Sequence, residues 1–97
     1  MAVSGPVVGA TTTVVVQENL KGLRRVLVLC NNSDEDMYVA PGPDAQDTEG
    51  IPLVAHGGSW TDKPDAQGKM YQGQYTAICV SGGKILSVTE LNVGMGL

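Results

Sequence analysis

Val26 to Ala40, VLVLCNNSDEDMYVA, carries the strongest fold signal in the chain. Val26 to Asn31 is an almost unbroken apolar run, too short for a helix and rich in β-formers. Asn32-Ser33-Asp34-Glu35-Asp36 follows, and Asn, Ser and Asp side chains stabilise turns by hydrogen-bonding their own nearby backbone. Met37-Tyr38-Val39 then resumes a strand. The local pattern predicts a β-hairpin at the heart of a small β domain.

The same alternation of strand and turn extends in both directions. Upstream, Thr11 to Gln17 (TTTVVVQ) is β-branched almost throughout, which suits a pleated strand. Leu20 and Leu23, in the turn that follows, are expected to plug one end of the core. Arg24-Arg25 is expected at a sheet edge, where charge discourages unwanted pairing. Downstream, Pro41 to Gly50 is a loop by its Pro, Gly and acidic content. Ile51 to Val54 is a short strand that Pro52 confines to an edge or a strand start. Ser59-Trp60-Thr61 is a strand with Trp60 turned into the core, and Asp62 to Gly73 is a second polar loop. Gln74 to Val80 alternates, with Tyr75, Ala77 and Cys79 on one face and Thr76, Ile78 and Val80 on the other. Ser81-Gly82-Gly83-Lys84 reads as a hairpin turn. Ile85 to Leu91 pairs back, with Leu86 and Val88 facing the core.

About seven short strands with regular turn signals and no helical pattern give an all-β chain, a small β-sandwich or jelly-roll-like domain of antiparallel strands with extended termini. The expected organisation is an extended N-terminal arm over 1–10, a β-sandwich over 11–91 and a C-terminal tail over 92–97. The arm reads either as a frayed terminus or as a segment that docks on a neighbour, because Val-rich segments gain nothing by facing water. Val3, Val7 and Val8 in the arm, with Val93, Met95 and Leu97 in the tail, are the candidate assembly-interface residues.

Composition narrows the function classes. The chain has 97 residues, ten acidic against six basic, and a formal charge of -4. Apart from Arg24-Arg25 it has no cationic block to hold a phosphate backbone or an anionic membrane surface, so neither nucleic acid nor membrane is an expected partner. With no Phe, one Trp and three Tyr the core is thin. A small core of modest side chains gains from oligomerisation. The N-terminus lacks the basic region of a signal peptide.

Nothing in the pattern asks for catalysis or a cofactor. His56, the one histidine, stands in a Gly-rich turn, and Cys30 and Cys79 sit in apolar strand runs where thiols are inert. Zinc needs more N and S ligands than this chain places together. The spacing of Asp44, Asp47 and Glu49 does not match a calcium loop. The expectation is no enzyme activity, no metal site and no cofactor.

From Thr11 to Glu90 the order of features resembles a family of small β-sandwich structural proteins of tailed bacteriophages. A β-branched strand leads to an apolar strand ending in Asn31-Asn32-Ser33-Asp34. Met37-Tyr38-Val39 comes next, then Gly50-Ile51-Pro52-Leu53, the turn Gly57-Gly58-Ser59, the Tyr-containing strand and Ser-Gly turn from Tyr75 to Gly82, and a last strand near Glu90. The loops Pro41 to Gly50 and Lys63 to Gln74 are longer than that pattern. The resemblance implies a virion component made in the host cytoplasm. Foremost is a capsid decoration (cement) protein on the capsid surface, a homo-oligomer, specifically a homotrimer, bound to the major capsid protein. A neck, tail or fibre-base component is the alternative. A carbohydrate-binding module is disfavoured by the small number of aromatics, since such modules stack sugars on exposed rings.

Overall fold

A computed structural model describes residues 2–46 and 49–92. Among the described residues the chain is all-β and forms ten short strands, all paired antiparallel: β1 (Ala2–Ser4), β2 (Val7–Val8), β3 (Thr13–Val16), β4 (Arg24–Asn31), β5 (Met37–Pro41), β6 (Ile51–Leu53), β7 (Gly58–Asp62), β8 (Tyr75–Cys79), β9 (Lys84–Ile85) and β10 (Ser87–Asn92). Two four-stranded sheets, ordered β1-β10-β4-β7 and β3-β8-β5-β6, pack face to face, and β2-β9 is a separate short ribbon.

The pairings nest. β5 pairs with β6, β4 with β7, β3 with β8, β2 with β9 and β1 with β10. The chain is therefore one long hairpin whose tip is the loop after β5. Rolling that hairpin up brings β10 against β4 and β8 against β5, and these two ladders complete the sheets.

This wrapping corrects two local expectations. Val26 to Ala40 holds the predicted strand, turn and strand, but β4 and β5 lie in opposite sheets and do not pair. Asn31 to Asp36 is a corner between sheets, not a hairpin turn. Ser81 to Lys84 is likewise a corner, with Gly82 and Gly83 both at a φ of 71°, and β8 and β10 again fall in opposite sheets. Turn-forming side chains fix where the chain reverses. They leave open which sheet receives the next strand, because that is decided by burial of distant faces.

The core lies between the sheets. Leu27 and Leu29 of β4 and Val88 of β10 meet Met37 and Val39 of β5, Ala77 and Cys79 of β8, and Leu53 of β6. Burying each large aliphatic side chain contributes about 1.5–3 kcal/mol. The alternation read along β8 holds, with Tyr75, Ala77 and Cys79 inward, and Leu86 and Val88 are also core residues. Trp60 is half-buried and packs against this core.

Four further expectations change. Residues 2–8 are not an arm apart from the sandwich, because β1 is an edge strand of one sheet and β2 lies on the ribbon over the core. Val8 is fully buried, so it is a core residue and not an interface residue. Leu20 plugs nothing, being 87% exposed, and Leu23 is exposed too. Arg24 is 1% exposed, a buried residue in an inner strand and no edge charge.

Candidate functional site

Strand β4 carries a buried polar residue at each end, and these must be understood before any surface is read as functional. Arg24 opens the strand. Its Nε donates to Glu90 Oε2 at 2.6 Å, Nη1 to the carbonyls of Tyr71 and Gly73 at 3.0 Å each, and Nη2 to the carbonyl of Gln17 at 2.9 Å. The guanidinium also lies 5.7 Å from the centre of the Tyr75 ring, within cation–π range. Gln72 clasps the Arg24 backbone, accepting from its N–H and donating to its carbonyl. A fork of fixed planar donors suits this site in a way a lysine would not. The polar loop before β8 is thus tied to the sandwich by the side chains of Arg24 and Gln72.

Arg24 turns inward because of a bulge. Leu91 pairs with Val26 but Asn92 pairs with Arg24, so Arg25 is the extra residue on β4. The bulge shifts the inward–outward alternation by one and aims Arg24 at the core while Arg25 faces solvent. Around it, Tyr71 meets Tyr75 edge-on at 5.3 Å, and Trp60 is tilted against Tyr75 at 5.7 Å. Tyr75 donates its hydroxyl to Asp62 Oδ2 at 3.2 Å. Burial first, and then the Asp62 carboxylate, push the Tyr75 phenol above its ordinary value.

Asn31 closes the other end of β4. Its Nδ2 donates to the carbonyls of Glu35 and Leu53 at 2.8 and 2.7 Å, and its Oδ1 accepts from the Ser33 N–H and hydroxyl. This is an Asx-type turn anchored in the core. Two carboxylates of the same corner, the exposed Asp34 and the half-buried Glu35, reach the corner after β8. Asp34 pairs with Lys84 at 2.8 Å, and Glu35 Oε1 accepts the Ser81 N–H at 2.6 Å. The hydrogen bond from Lys84 holds Asp34 below its ordinary 3.8, and the hydrogen bond from Ser81 holds Glu35 below its ordinary 4.5.

Both networks serve the fold, and the surface also holds two rows without charge. On the outer face of the β1-β10-β4-β7 sheet, Val3, Thr89, Val28 and Thr61 align in one cross-strand row, and Ser87, Cys30 and Ser59 in the next. Neither row holds a charge, although the chain carries sixteen charged residues, ten acidic and six basic. At the β1 side Val3 is 68% exposed, and Val7 and its cross-strand partner Ile85 are 57% and 59% exposed. A Cβ on Gly5 would lie 3.1 Å from Ile85 Cγ2, so the Ile85 side chain covers that glycine. Isolated exposed apolar residues are ordinary, whereas a patch of them marks a contact site.

Of the candidate interface residues, Val3 and Val7 belong to this patch and Val8 does not. Val93, Met95 and Leu97 lie outside the described residues. Ile85 is the member that sequence reasoning missed. Its place opposite Val7 depends on the β2–β9 ribbon, and no local motif signals that ribbon.

A groove of about 430 Å³ opens between the edges of β1 and β3, floored by Val15, Val16 and Val88 and walled by Glu90 and Asn92. Asn19 Nδ2 donates to Asn92 Oδ1 across it at 3.0 Å. The Glu90 carboxylate facing the groove is already engaged by Arg24. Cys79 is fully buried with its thiol toward the carbonyls of Val8 and Gly9, and burial pushes that thiol above its ordinary value, which disfavours the nucleophilic form. Cys30 is half-exposed, and both cysteines are free. His56 is exposed on the turn before β7. No three His, Cys, Asp or Glu side chains converge as a metal site among the described residues. Comparison with protein-family models, with curated proteins and with solved structures returned no match.

Proposed function

We propose that this chain is a non-catalytic structural protein of a bacteriophage virion, a decoration protein that binds the outside of the head and bridges neighbouring capsid subunits. The observation that carries the reading is the pair of uncharged cross-strand rows on the outer face of the β1-β10-β4-β7 sheet, bordered by the exposed Val3, Val7 and Ile85. An acidic chain that keeps charge off two adjoining rows of a sheet can lay those rows on a protein surface without stranding an ion. The nested strand order supports the reading by analogy: it resembles the wrapping of a jelly roll, an architecture used in viral capsid and lectin domains. The similarity of Thr11 to Glu90 to small phage structural proteins points the same way.

In mechanism, the exposed valines and Ile85 would pack across the junction of two capsid subunits. Each Å² of apolar surface removed from water contributes roughly 25 cal/mol before the cost of association is met. The chain would act in more than one copy, in contact with the major capsid protein and with neither nucleic acid nor membrane.

Sedimentation of the purified chain with empty heads and, separately, with purified tails tests the assignment. Saturable binding to heads alone is the expected result. Binding to tails alone would move the protein to a neck, tail or fibre-base position, and binding to neither would overturn the virion reading.

A further inference from the structure

The turn between β3 and β4 holds a large apolar side chain in water. Leu20 is 87% exposed, the most exposed of the large apolar residues described. It does not stand on a loose tip. Leu20 and Lys21 are the central residues of a turn closed by the Gly22 N–H on the Asn19 carbonyl at 3.0 Å. Gly22 has a φ of 65°, in the left-handed region that glycine enters freely. Asn19 is fixed at its other polar atoms too. Its N–H donates to the Gln72 carbonyl at 2.7 Å, its Oδ1 accepts the Leu23 N–H at 3.2 Å, and its Nδ2 donates to Asn92 Oδ1 at 3.0 Å. An anchor already held in place loses little conformational freedom on binding.

The same turn forms the lip of the groove between the edges of β1 and β3. Glu18, Leu20 and Lys21 line its rim, and Val15, Val16 and Val88 line its floor. All three valines are core residues, so the floor is the side of the core itself. The volume of about 430 Å³ has room for a branched aliphatic side chain. Glu18 and Lys21, before and after Leu20 in the chain, are exposed and enter no ion pair among the described residues.

We infer that two copies of this chain join through this surface about a two-fold axis, each inserting Leu20 into the groove of the other. Knob and hole lie on one patch, so the patch is complementary to itself. That is the condition for an isologous contact, which closes at two copies. Charge points to the same occupant. In the reciprocal contact Lys21 of one copy meets Glu18 of the other, and the axis repeats the pair. The lip thus supplies both signs that a second copy needs, whereas a partner of one sign would be repelled at one of the two residues. Removing Leu20 from water onto a floor of valines supplies the attraction at both ends. Leu20 reads in sequence as a core plug, and in the pair it plugs the side of the second copy's core. Val3, Val7 and Ile85 do not line the groove, so the pairing leaves the head-binding face free. Its failure would leave the head-binding reading standing.

Light scattering over a range of concentrations tests the contact. The parent chain is expected to weigh as a dimer. L20S removes both knobs and should raise the dissociation constant at least about tenfold. E18K and K21E each set like charges across the axis twice, and each alone should weaken the dimer about threefold or more. Mixed in equal amounts, the two charge variants restore opposite charges at both pairs and should form a mixed dimer as tight as the parent. That recovery also shows that both variants are folded. A parent that is monomeric throughout or trimeric, an L20S variant that dimerises as the parent does, or charge variants that show no recovery on mixing would overturn the inference.

Discussion

The two ends of β4 solve the same problem with different chemistry. At one end an arginine is buried, at the other an asparagine, and each satisfies backbone carbonyls that the rolled hairpin would leave unpaired inside. Arg24 bonds three carbonyls and one carboxylate, drawing together segments far apart in sequence. Asn31 bonds two carbonyls, one of them Leu53 in β6, and otherwise organises its own turn. A corner can be built from local side chains, whereas closing the end where a long loop returns needs a residue with reach and several donors. Serving the fold also removes both buried polar groups from the list of functional residues, which leaves the uncharged edges.

If that comparison holds, Arg24 is the more costly to lose. Arg24→Met leaves the Glu90 carboxylate half-buried without its partner and three carbonyls unpaired. The expected loss is about 3–5 kcal/mol, read as a lower midpoint in urea unfolding. A loss under about 1 kcal/mol would mean that water replaces the guanidinium without cost. Arg24→Lys should recover only part of the loss, since an ammonium cannot reproduce the planar fork. At the other end, Asn31→Ala leaves the Leu53 carbonyl buried and unpaired, and should cost about 1–3 kcal/mol. A larger loss than Arg24→Met gives would invert the comparison.

The Asn31 end should also be the acid-sensitive one. Asp34 and Glu35 are depressed in the folded state, so their contribution is complete above their ordinary values of 3.8 and 4.5 and is lost as pH falls through the lower folded values. Asp34 is exposed and Glu35 only half-buried, so solvent screens both and the effect is small. A thermal midpoint followed from pH 7 downward should decline below about pH 4.5, and Glu35→Gln should flatten that decline. An unchanged acid limb in Glu35→Gln would remove the Glu35–Ser81 bond from the account. Thiol labelling gives the smallest test of burial: in the native protein Cys30 should react and Cys79 should not, and equal rates would contradict the packing around Cys79.

Strand content was legible because alternation is a local signal. Tyr75, Ala77 and Cys79 against Thr76, Ile78 and Val80 reads straight off the chain, and Leu86 and Val88 likewise. Partners were not legible, because β4 pairs with β10 and β7 through contacts dozens of residues away, and a polar corner looks like a hairpin turn in sequence. Arg24 was misread as an edge charge for a related reason: alternation from Leu27 and Leu29 sends Arg25 inward, and only the bulge opposite Leu91 and Asn92 reverses the choice. At the proposed contact surface Val3 and Val7 could be chosen from composition, while Val8 and Ile85 could be sorted only once the β2–β9 ribbon was in view.

The central claim is that fold and contact reside in different residues. The variant V3S/V7S/I85S tests it most directly when its unfolding midpoint and its co-sedimentation with empty heads are measured side by side. Exposed substitutions of this kind shift stability by about 0.5 kcal/mol or less each, so the fold should persist while head binding falls at least tenfold. A well-folded variant that binds heads as the parent does would contradict the account.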